Sequence, residues 1–406
     1  MTFSTVVSRI AHASFRQAPS LMPAGDWWDT LAADFHKKDE HFALRPADRL
    51  RVSATAASDV VIRTAGAAAV AALAIPIGYH PRRLQQAYQE RRFYEQFADR
   101  GDVHRFFRRP PRGVKVERRI QPVDAFGSHG VVERLRFDSP FEPVNPAMRE
   151  RWKGYTRNNV ARAKWVRHAD GPRPTVMFVH GFFADPYWLN ELFFAIPAFF
   201  YAGCDVLLYT LPFHGRRQEL LSPFSGHGFF AGGVSGINEA FAQAVHDFRI
   251  FLDFLLDDVG VERAGVTGIS LGGYTSALLA SVEDRLAFAA PNVPVASLPD
   301  LVMEWAPMSW VIRSAMKVAG VSIHDLRHMM AAHSPLTWQP VLPRERLMVI
   351  GGVGDRLAPP KHSRLLWDHW GRCRIHWFPG SHILHLDQGE YISEMFSFLH
   401  DIDFLC

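Results

Sequence analysis

The spacing of hydrophobic and polar positions changes along the chain and divides it into two parts. Over residues 1–113 apolar side chains recur mainly at helical spacing, most clearly across 82–107. From residue 114 onward, short apolar runs typical of strands alternate with longer segments of helical spacing. Such alternation predicts a mostly parallel sheet covered by helices on both faces. We therefore expect an N-terminal helical extension, 1–113, followed by an α/β domain, 114–406.

Eight runs in the second part have the length and pattern of strands. The first two alternate around a Gly-Ser-His-Gly turn, which predicts an antiparallel hairpin at one edge of the sheet. The later runs are more continuously apolar and predict buried strands. The eight runs are 114–120, 131–137, 175–179, 205–209, 263–267, 285–290, 347–350 and 374–378.

One long segment, 291–345, interrupts the alternation between two predicted strands. It carries Met and Trp side chains at helical intervals, among them Trp305. A helical lid over a lipophilic pocket would have this pattern. An ordinary helical insertion whose apolar face belongs to the core would have it as well, so both interpretations stay open.

The N-terminal part contains an alanine-rich apolar run, 64–79. A helix that spans a membrane needs about 20 apolar residues, whereas this run has 16, contains Pro76 and follows Asp59 and Arg63 closely. We expect a buried or surface-docked helix, with a membrane anchor as the alternative.

Composition and charge alter this picture only slightly. Apolar residues make up 48% of the chain and charged residues 21%, which is ordinary for a globular protein. Three cysteines and the lack of a secretory segment at the start predict a reducing, cytoplasmic location.

The net charge of +4 divides into +11 for 1–165 and −7 for 166–406. The basic part could face the acidic part or make a peripheral membrane contact, and without a nucleic-acid-binding motif we expect no nucleic acid partner.

The most informative motif is Gly268-Ile269-Ser270-Leu271-Gly272, between a predicted strand and a predicted helix. G-x-S-x-G at such a turn is a nucleophile elbow, in which the serine has strained backbone geometry and an exposed Oγ. Small residues are needed on either side because the strand and the helix almost collide there. Ser270 is therefore the candidate nucleophile.

Two later strand ends supply an acid and a base. A Gly-rich turn after the strand at 347–350 ends in Asp355, and a Pro-Gly-Ser turn after the strand at 374–378 ends in His382. A serine hydroxyl is a poor nucleophile until a base takes its proton, and an imidazole does this best when a carboxylate orients it. His385 is the alternative base.

Other side chains have predicted roles around these three. Asp300 and Glu304 are the alternative acids. The backbone N–H of Phe182 or Phe183, at the end of the strand 175–179, could form an oxyanion hole together with that of Leu271.

The predicted substrate-binding side chains are Phe183, Trp188 and Trp305, which would give a pocket apolar walls. His324 and His328 stand at i, i+4 on one predicted helix, a spacing that could suit zinc. Asp325 occupies the position where zinc proteases have glutamate, and no third ligand is evident. We therefore expect no metal.

These residues resemble the α/β-hydrolase superfamily, specifically its esterases and S9-peptidase-like serine hydrolases. The resemblance covers about 115–406 and rests on His180-Gly181, the run 268–273, Asp355, His382 and the loop at 210–217. It implies an eight-stranded, mostly parallel sheet and a serine hydrolase without a cofactor. The first 110 residues match no part of that fold.

The expected activity is hydrolysis of a small-molecule carboxylic ester with an apolar acyl or alkyl part, through Ser270, Asp355 and His382. A peptidase or an acyltransferase would use the same triad. A non-catalytic, membrane-docked scaffold would keep the fold without the chemistry. Because one fold hosts many functions, the sequence leaves these alternatives open.

Overall fold

A nine-stranded sheet forms the centre of the computed structural model, which describes residues 7–9, 18–22, 24–73, 81–125, 130–183, 186–386 and 388–405. The strand order is β1-β2-β3-β5-β4-β6-β7-β8-β9. The strands are β1 Glu117–Ala125, β2 Gly130–Asp138, β3 Val160–His168, β4 Thr175–Val179, β5 Asp205–Thr210, β6 Ala264–Ile269, β7 Ala289–Asn292, β8 Met348–Gly352 and β9 Arg374–Phe378.

The prediction of a mostly parallel sheet is confirmed. Strands β5, β4, β6, β7, β8 and β9 pair in parallel, while β1, β2 and β3 form an antiparallel meander that joins β5. The predicted count of eight strands was wrong because β3 was missed. This strand buries Ala161, Ala163 and Trp165 on one face, but Arg162 and Lys164 alternate with them and dilute its apolar character.

Strand boundaries were predicted best where burial is most complete. Strands β4 and β9 begin and end where the apolar runs do. Strand β1 begins three residues later than expected and β7 four residues later. The hairpin turn between β1 and β2 lies outside the described residues.

Helices cover both faces of the sheet. The helix Gly233–Asp253 continues into a π-helical turn, Phe254–Val259. The helices are α1 Trp27–Thr30, α2 Pro46–Leu73, α3 Pro81–Gln89, α4 Arg92–Asp99, α5 Val103–Phe106, α6 Arg149–Lys153, α7 Tyr187–Phe193, α8 Ile196–Tyr201, α9 His227–Phe230, α10 Gly233–Asp253, α11 Leu271–Val282, α12 Leu298–Glu304, α13 Met308–Ala319, α14 Ile323–Met329, α15 Pro360–His369 and α16 Gln388–Asp401.

Successive residues of β4 belong to two different hydrophobic clusters. Val176 and Phe178 pack with residues of α8 and α16, whereas Met177 and Val179 pack with residues of α10, α11 and α15. Side chains alternate between the faces of a strand, so a strand covered on both sides is apolar at every position. This explains why the sequence of β4 reads as a continuous apolar run.

The described N-terminal helices join the second of these clusters. Trp27, Leu84, Phe97 and Phe106 are buried in it together with residues of the sheet. We expected the basic N-terminal part to face the acidic remainder of the chain. The described ion pairs between the two parts include this arrangement and also its reverse. Arg109 lies 3.8 Å from Asp284, but Glu40 accepts from Arg364 at 2.9 Å, with the charges reversed.

The long helix α2 contains the first part of the alanine-rich run and lies on the surface with one face buried. Its buried positions include Val52, Asp59 and Ala67. Residues 74–79 of the run, with Pro76, are outside the described residues. Within the described parts of the chain, no helix has both the length and the apolar character that crossing a membrane requires.

Between β7 and β8 the chain forms α12, α13 and α14, so the segment 291–345 is helical as expected. Arg327 of α14 donates two hydrogen bonds to Asp300 of α12, at 2.6 and 2.9 Å, and also bonds the carbonyls of Leu31 and Ala32. This buried ion pair therefore ties the inserted helices to the N-terminal segment. That these helices act as a lid over a lipophilic pocket remains a proposal.

Candidate active site

Ser270 occupies a sharp turn between β6 and α11. Its backbone has φ +58° and ψ −111°, a strained conformation for a residue other than glycine. The Ser270 N–H donates to the carbonyl of Asn292 at 3.0 Å, and Tyr274 N–H donates to the carbonyl of Ser270 at 2.9 Å. Among the described residues, none forms a hydrogen bond with Ser270 Oγ, which lies at the wall of a pocket.

The glycines of the motif are required by close approach of the backbone. A Cβ on Gly272 would lie 2.0 Å from the carbonyl oxygen of Val179. A Cβ on Gly268 would lie 2.5 Å from the carbonyl oxygen of Gly272. Real Cβ atoms do not come this close to backbone oxygens, so larger residues would force β4, β6 and α11 apart.

Asp355 and His382 form a buried pair at the same edge of the sheet. His382 Nδ1 lies 2.6 Å from Asp355 Oδ2, and Asp355 Oδ1 accepts from the backbone N–H groups of Leu357 and Ala358 at 2.9 and 2.8 Å. An ionised Asp355 is an acceptor only, so the proton of this contact belongs to His382 Nδ1. His382 Nε2 is thereby left as the basic atom.

The loops that carry the acid and the base are bound to each other. Gly354 N–H donates to the carbonyl of Gly380 at 2.7 Å, and Val353 N–H donates to the carbonyl of Phe378 at 3.1 Å. Burial alone would lower the pKa of His382. The attraction and hydrogen bond of Asp355, with a smaller contribution from Asp59, outweigh burial and raise the pKa of His382 above its usual value.

The alternative acids and base have other partners. Asp300 pairs with Arg327, and Glu304 lies 3.1 Å from Lys361 Nζ. His385 packs on the ring of Phe378 at 4.0 Å between ring centres. Burial, and then the neighbouring His382, lower the pKa of His385 to about 3.

The loop after β4 runs beside Ser270. A Cβ on Gly181 would lie 3.5 Å from Ser270 Cβ. The His180 ring holds this loop, since its Nδ1 lies 2.8 Å from the carbonyl of Gly181 and its Nε2 accepts from Leu211 N–H. Within the described residues, the backbone N–H groups of Phe182 and Leu271 have no hydrogen-bond partner, as a candidate oxyanion hole requires.

An apolar pocket of about 840 Å³, part of it open to solvent, borders Ser270. The inserted segment 291–345 supplies six of its fourteen lining residues, and Ser270 and His227 are its polar side chains. Burial lowers the pKa of His227, which favours a neutral ring. The lining residues are Val70, Phe182, Phe224, His227, Phe230, Ser270, Leu271, Val295, Leu298, Leu301, Val302, Trp305, Met308 and Leu357.

Of the three side chains predicted to bind substrate, the structure places Trp305 in the wall of this pocket. Trp188, on α7, is 68% exposed and lies outside that wall. Phe183 is 46% exposed and packs against the rings of Phe182 and Phe224 rather than forming the wall. Both predictions assumed that an aromatic residue near the oxyanion loop points into the site, which local sequence does not decide.

Several wall residues were missed by sequence reasoning. Val70 comes from α2, Phe224 and Phe230 from the segment around α9, and Leu357 from the turn after Asp355. None belongs to a motif, and their helical or loop spacing resembles that of ordinary core residues. Only their arrangement around Ser270 identifies them.

The histidines at zinc-like spacing lie apart from this pocket and have separate partners. His324 Nδ1 lies 2.9 Å from the Trp28 carbonyl, and His328 Nε2 lies 2.7 Å from Asp99. The described residues include no group of three His, Cys, Asp or Glu side chains that could hold a metal ion.

Comparison by sequence shows relatives of unknown activity. No family model matches the chain. An uncharacterised protein of Mycobacterium tuberculosis strain H37Rv is 34% identical over 255 residues, and strain CDC 1551 / Oshkosh has one with the same values. The match covers 61% of this chain and spans 59% of the length of each relative.

Comparison by structure identifies the fold. Acetyl xylan esterase 1 from Thermoanaerobacterium sp. JW/SL YS485 aligns with a TM-score of 0.55 at 15% identity, over 76% of this chain and 93% of the esterase. Acetyl xylan esterase from Paenibacillus sp. R4 aligns with a TM-score of 0.53 at 14% identity, over 75% of this chain and 93% of that esterase. Together with the sheet order and the strained serine turn, these similarities show that the chain has the α/β-hydrolase fold.

Proposed function

We propose that this protein is a serine hydrolase that cleaves carboxylic esters with an apolar acyl or alkyl part. The observation that carries the proposal is the position of Ser270, on a strained turn at the wall of an apolar pocket, at the sheet edge that also carries Asp355 hydrogen-bonded to His382. The fold, which the two acetyl xylan esterases share, supports the same class of reaction.

The proposed reaction begins with attack of Ser270 Oγ on the ester carbonyl carbon. His382 Nε2 takes the hydroxyl proton as the bond forms, and Asp355 stabilises the resulting imidazolium. The N–H groups of Phe182 and Leu271 hold the negative charge that develops on the carbonyl oxygen. One such donor typically contributes about 10²–10³-fold in kcat.

Collapse of the tetrahedral intermediate breaks the bond to the alcohol, which leaves with the proton from His382. A water molecule then attacks the acyl-enzyme, again with His382 as base, and releases the acid and free Ser270. All proton transfers use one nitrogen, because Asp355 holds Nδ1 at 2.6 Å and fixes the ring.

The pocket wall supports an apolar substrate more than a sugar ester. Its members are aliphatic and aromatic apart from Ser270 and His227. Binding a carbohydrate would leave its hydroxyl groups facing carbon, and an unpaired buried polar group costs about 1–3 kcal/mol. Each methylene of an acyl chain that enters the pocket would instead contribute about 0.8 kcal/mol.

The decisive experiment is labelling with a fluorophosphonate probe, followed by kinetics with p-nitrophenyl esters from acetyl to octanoyl. We expect covalent labelling at Ser270 and ester hydrolysis. Labelling together with transfer of the acyl group to an added alcohol would identify an acyltransferase, and cleavage of acyl-amino acid amides in preference to esters would identify a peptidase. Absence of labelling in folded protein would leave a non-catalytic scaffold and refute the proposal.

Acyl-chain preference tests the pocket directly. Leu301 of α12 lies in its wall, and Leu301→Trp would fill part of the space. We expect kcat/KM for the octanoyl ester to fall about tenfold, while kcat/KM for the acetyl ester changes less than threefold. At about 0.8 kcal/mol for each buried methylene, the tenfold loss corresponds to fewer than two methylenes excluded from the pocket. Val318→Trp, at an exposed position on α13, is the control. Equal losses for short and long esters would contradict the assignment of this pocket to the acyl chain.

The pH dependence follows from the raised pKa of His382. Its imidazole must be neutral to accept the serine proton, so activity is lost as the pH falls through the pKa of His382. We expect the acid limb of kcat/KM to have its midpoint above the ordinary histidine value of about 6.5. A midpoint near 3 would indicate His385 instead, because burial lowers the pKa of His385 to about that value.

A further inference from the structure

Asp59, in the middle of α2, is a fully buried carboxylate that contacts both loops of the acid–base pair. Its Oδ2 accepts from the backbone N–H of His382 at 2.7 Å and from the backbone N–H of Arg356 at 3.0 Å. Its Oδ1 is buried and has no hydrogen-bond partner among the described residues. One oxygen atom of the N-terminal helix therefore bridges the residue that follows the acid and the base itself.

The carboxylate of Asp59 has no ion-pair partner in the described parts of the chain. Arg63, one helical turn later, directs Nη1 to the carbonyl of Arg356 at 2.8 Å, and the Arg356 side chain is exposed. Burying a charge without a counter-charge is costly unless hydrogen bonds compensate. Features of this kind concentrate at functional sites, where an interaction is kept for a reason other than stability.

The rest of the same helix face also contacts the site. Val52 lies against Gly354, where a Cβ would come within 2.7 Å of Val52 Cγ1, and Val70 stands in the wall of the substrate pocket. Val52, Asp59, Arg63 and Val70 are spaced by 7, 4 and 7 residues, which places them on one helix face over about 27 Å. Helix α2 thus follows the active site from the acid loop to the pocket wall.

We propose that Asp59 is a positioning residue of the hydrolytic site, which fixes the His382 loop against the Asp355 loop through its two backbone hydrogen bonds. The proposal rests on the proposed function, since positioning serves the transfer of the Ser270 proton to His382. It makes α2 a part of the active site, although this helix precedes the α/β domain in the chain.

Asp59 also contributes charge. The groups that face His382 are Asp355, Asp59 and His385, and Asp59 in turn acts on Asp355. The cationic residues beside Asp59 in the hydrogen-bond network are Arg63, which bonds the Arg356 carbonyl, and Arg356, whose backbone N–H donates to Asp59. Asp59 helps to raise the pKa of His382. Asp59→Asn keeps an oxygen acceptor for the two N–H groups and removes the charge, whereas Asp59→Ala removes both.

The experiment compares Asp59→Ala and Asp59→Asn with wild type and with the control Asp48→Asn. Asp48 is a buried carboxylate of the same helix whose hydrogen-bond partner is the side chain of Arg45 rather than the backbone of either loop. Six quantities are measured. Three are the thermal unfolding midpoint and kcat and KM for a butyryl ester. The others are the acid limb of kcat/KM and, in ¹⁵N-histidine-labelled protein, the NMR titration midpoint and the backbone amide shift of His382.

For folded Asp59→Ala we expect kcat to fall about 10–100-fold with KM changed less than threefold, because misplacement of a catalytic group by about 1 Å has effects of this size. For Asp59→Asn we expect most of kcat to be retained, with the acid limb and the His382 midpoint displaced to lower pH. Asp48→Asn should match wild type. A folded Asp59→Ala with wild-type kcat, or an Asp59→Asn with an unchanged His382 midpoint, would overturn the proposal.

These measurements separate the proposed role of Asp59 from the proposed hydrolase activity. If Asp59→Ala does not fold, Asp59→Asn decides through the His382 midpoint together with the His382 backbone amide shift, which reports the hydrogen bond from that N–H to residue 59. If wild type hydrolyses no ester, the proposed function fails. The amide shift and midpoint of His382 would then still test whether Asp59 holds this loop, and no change in either would refute that contact as well.

Discussion

Ser270→Ala is expected to lower kcat for ester hydrolysis by about 10⁴-fold or more while the protein remains folded. Without Oγ no acyl-enzyme can form, and losing a triad nucleophile removes catalysis that the three residues deliver as a unit. The measurement is kcat with a butyryl p-nitrophenyl ester, with fluorophosphonate labelling of the same sample. The small methyl side chain fits the strained turn, so we expect little change in the unfolding midpoint.

Ser314→Ala is the matched control, since Ser314 is an exposed serine on α13. The Ser314→Ala variant should react with the fluorophosphonate probe and hydrolyse the butyryl ester as wild type does. If Ser270→Ala kept a tenth or more of the wild-type kcat, or still reacted with the probe, Ser270 would not be the nucleophile and the reading of the elbow would be wrong.

His382→Ala is expected to lower kcat by about 10⁴-fold or more, whereas His385→Phe should change it less than tenfold. Asp355 orients the His382 ring. His385 instead packs on Phe378, and phenylalanine preserves that contact. The comparison is made on the alkaline plateau of the wild-type pH profile, where the His382 imidazole is neutral.

Exogenous imidazole provides a second readout for the same pair. It should restore part of the activity of His382→Ala by entering the space that the ring leaves, and should have no effect on His385→Phe. If His385→Phe instead showed the larger loss at an unchanged unfolding midpoint, the roles of the two histidines would have to be exchanged.

The arrangement also explains how loops can hold a precise geometry. The loops that carry Asp355 and His382 are joined by a backbone hydrogen bond from Gly354 N–H to the carbonyl of Gly380. Asp355 also accepts from two N–H groups of its own turn. Buried backbone groups that are paired in this way do not open without leaving unsatisfied donors. The proposed role of Asp59 extends the same logic to the N-terminal helix.

Local sequence was sufficient for the elements whose signal is local. Strands β4 and β9 are buried on both faces, so their bounds coincide with apolar runs. The elbow was recognisable because its short G-x-S-x-G motif lies between a strand pattern and a helix pattern, although the contact that requires Gly272 is with Val179 of a neighbouring strand. Asp355 and His382 could be proposed because the ends of parallel strands meet at one edge of a sheet, whatever the details of packing.

The sequence by itself thus determined the alternation of strands and helices from β4 onward and the candidate chemistry at the strand ends. Tertiary structure decided what depends on packing between distant segments: that β3 joins the sheet, that Trp305 faces the pocket while Trp188 faces solvent, and that Asp59 reaches the His382 loop. In the sequence, Asp59 and Arg63 look like a solvated pair at i, i+4 spacing. Only the burial of α2 against the loops of Asp355 and His382 gives both side chains backbone partners in those loops. Burial is a property of the assembled fold and not of any short segment.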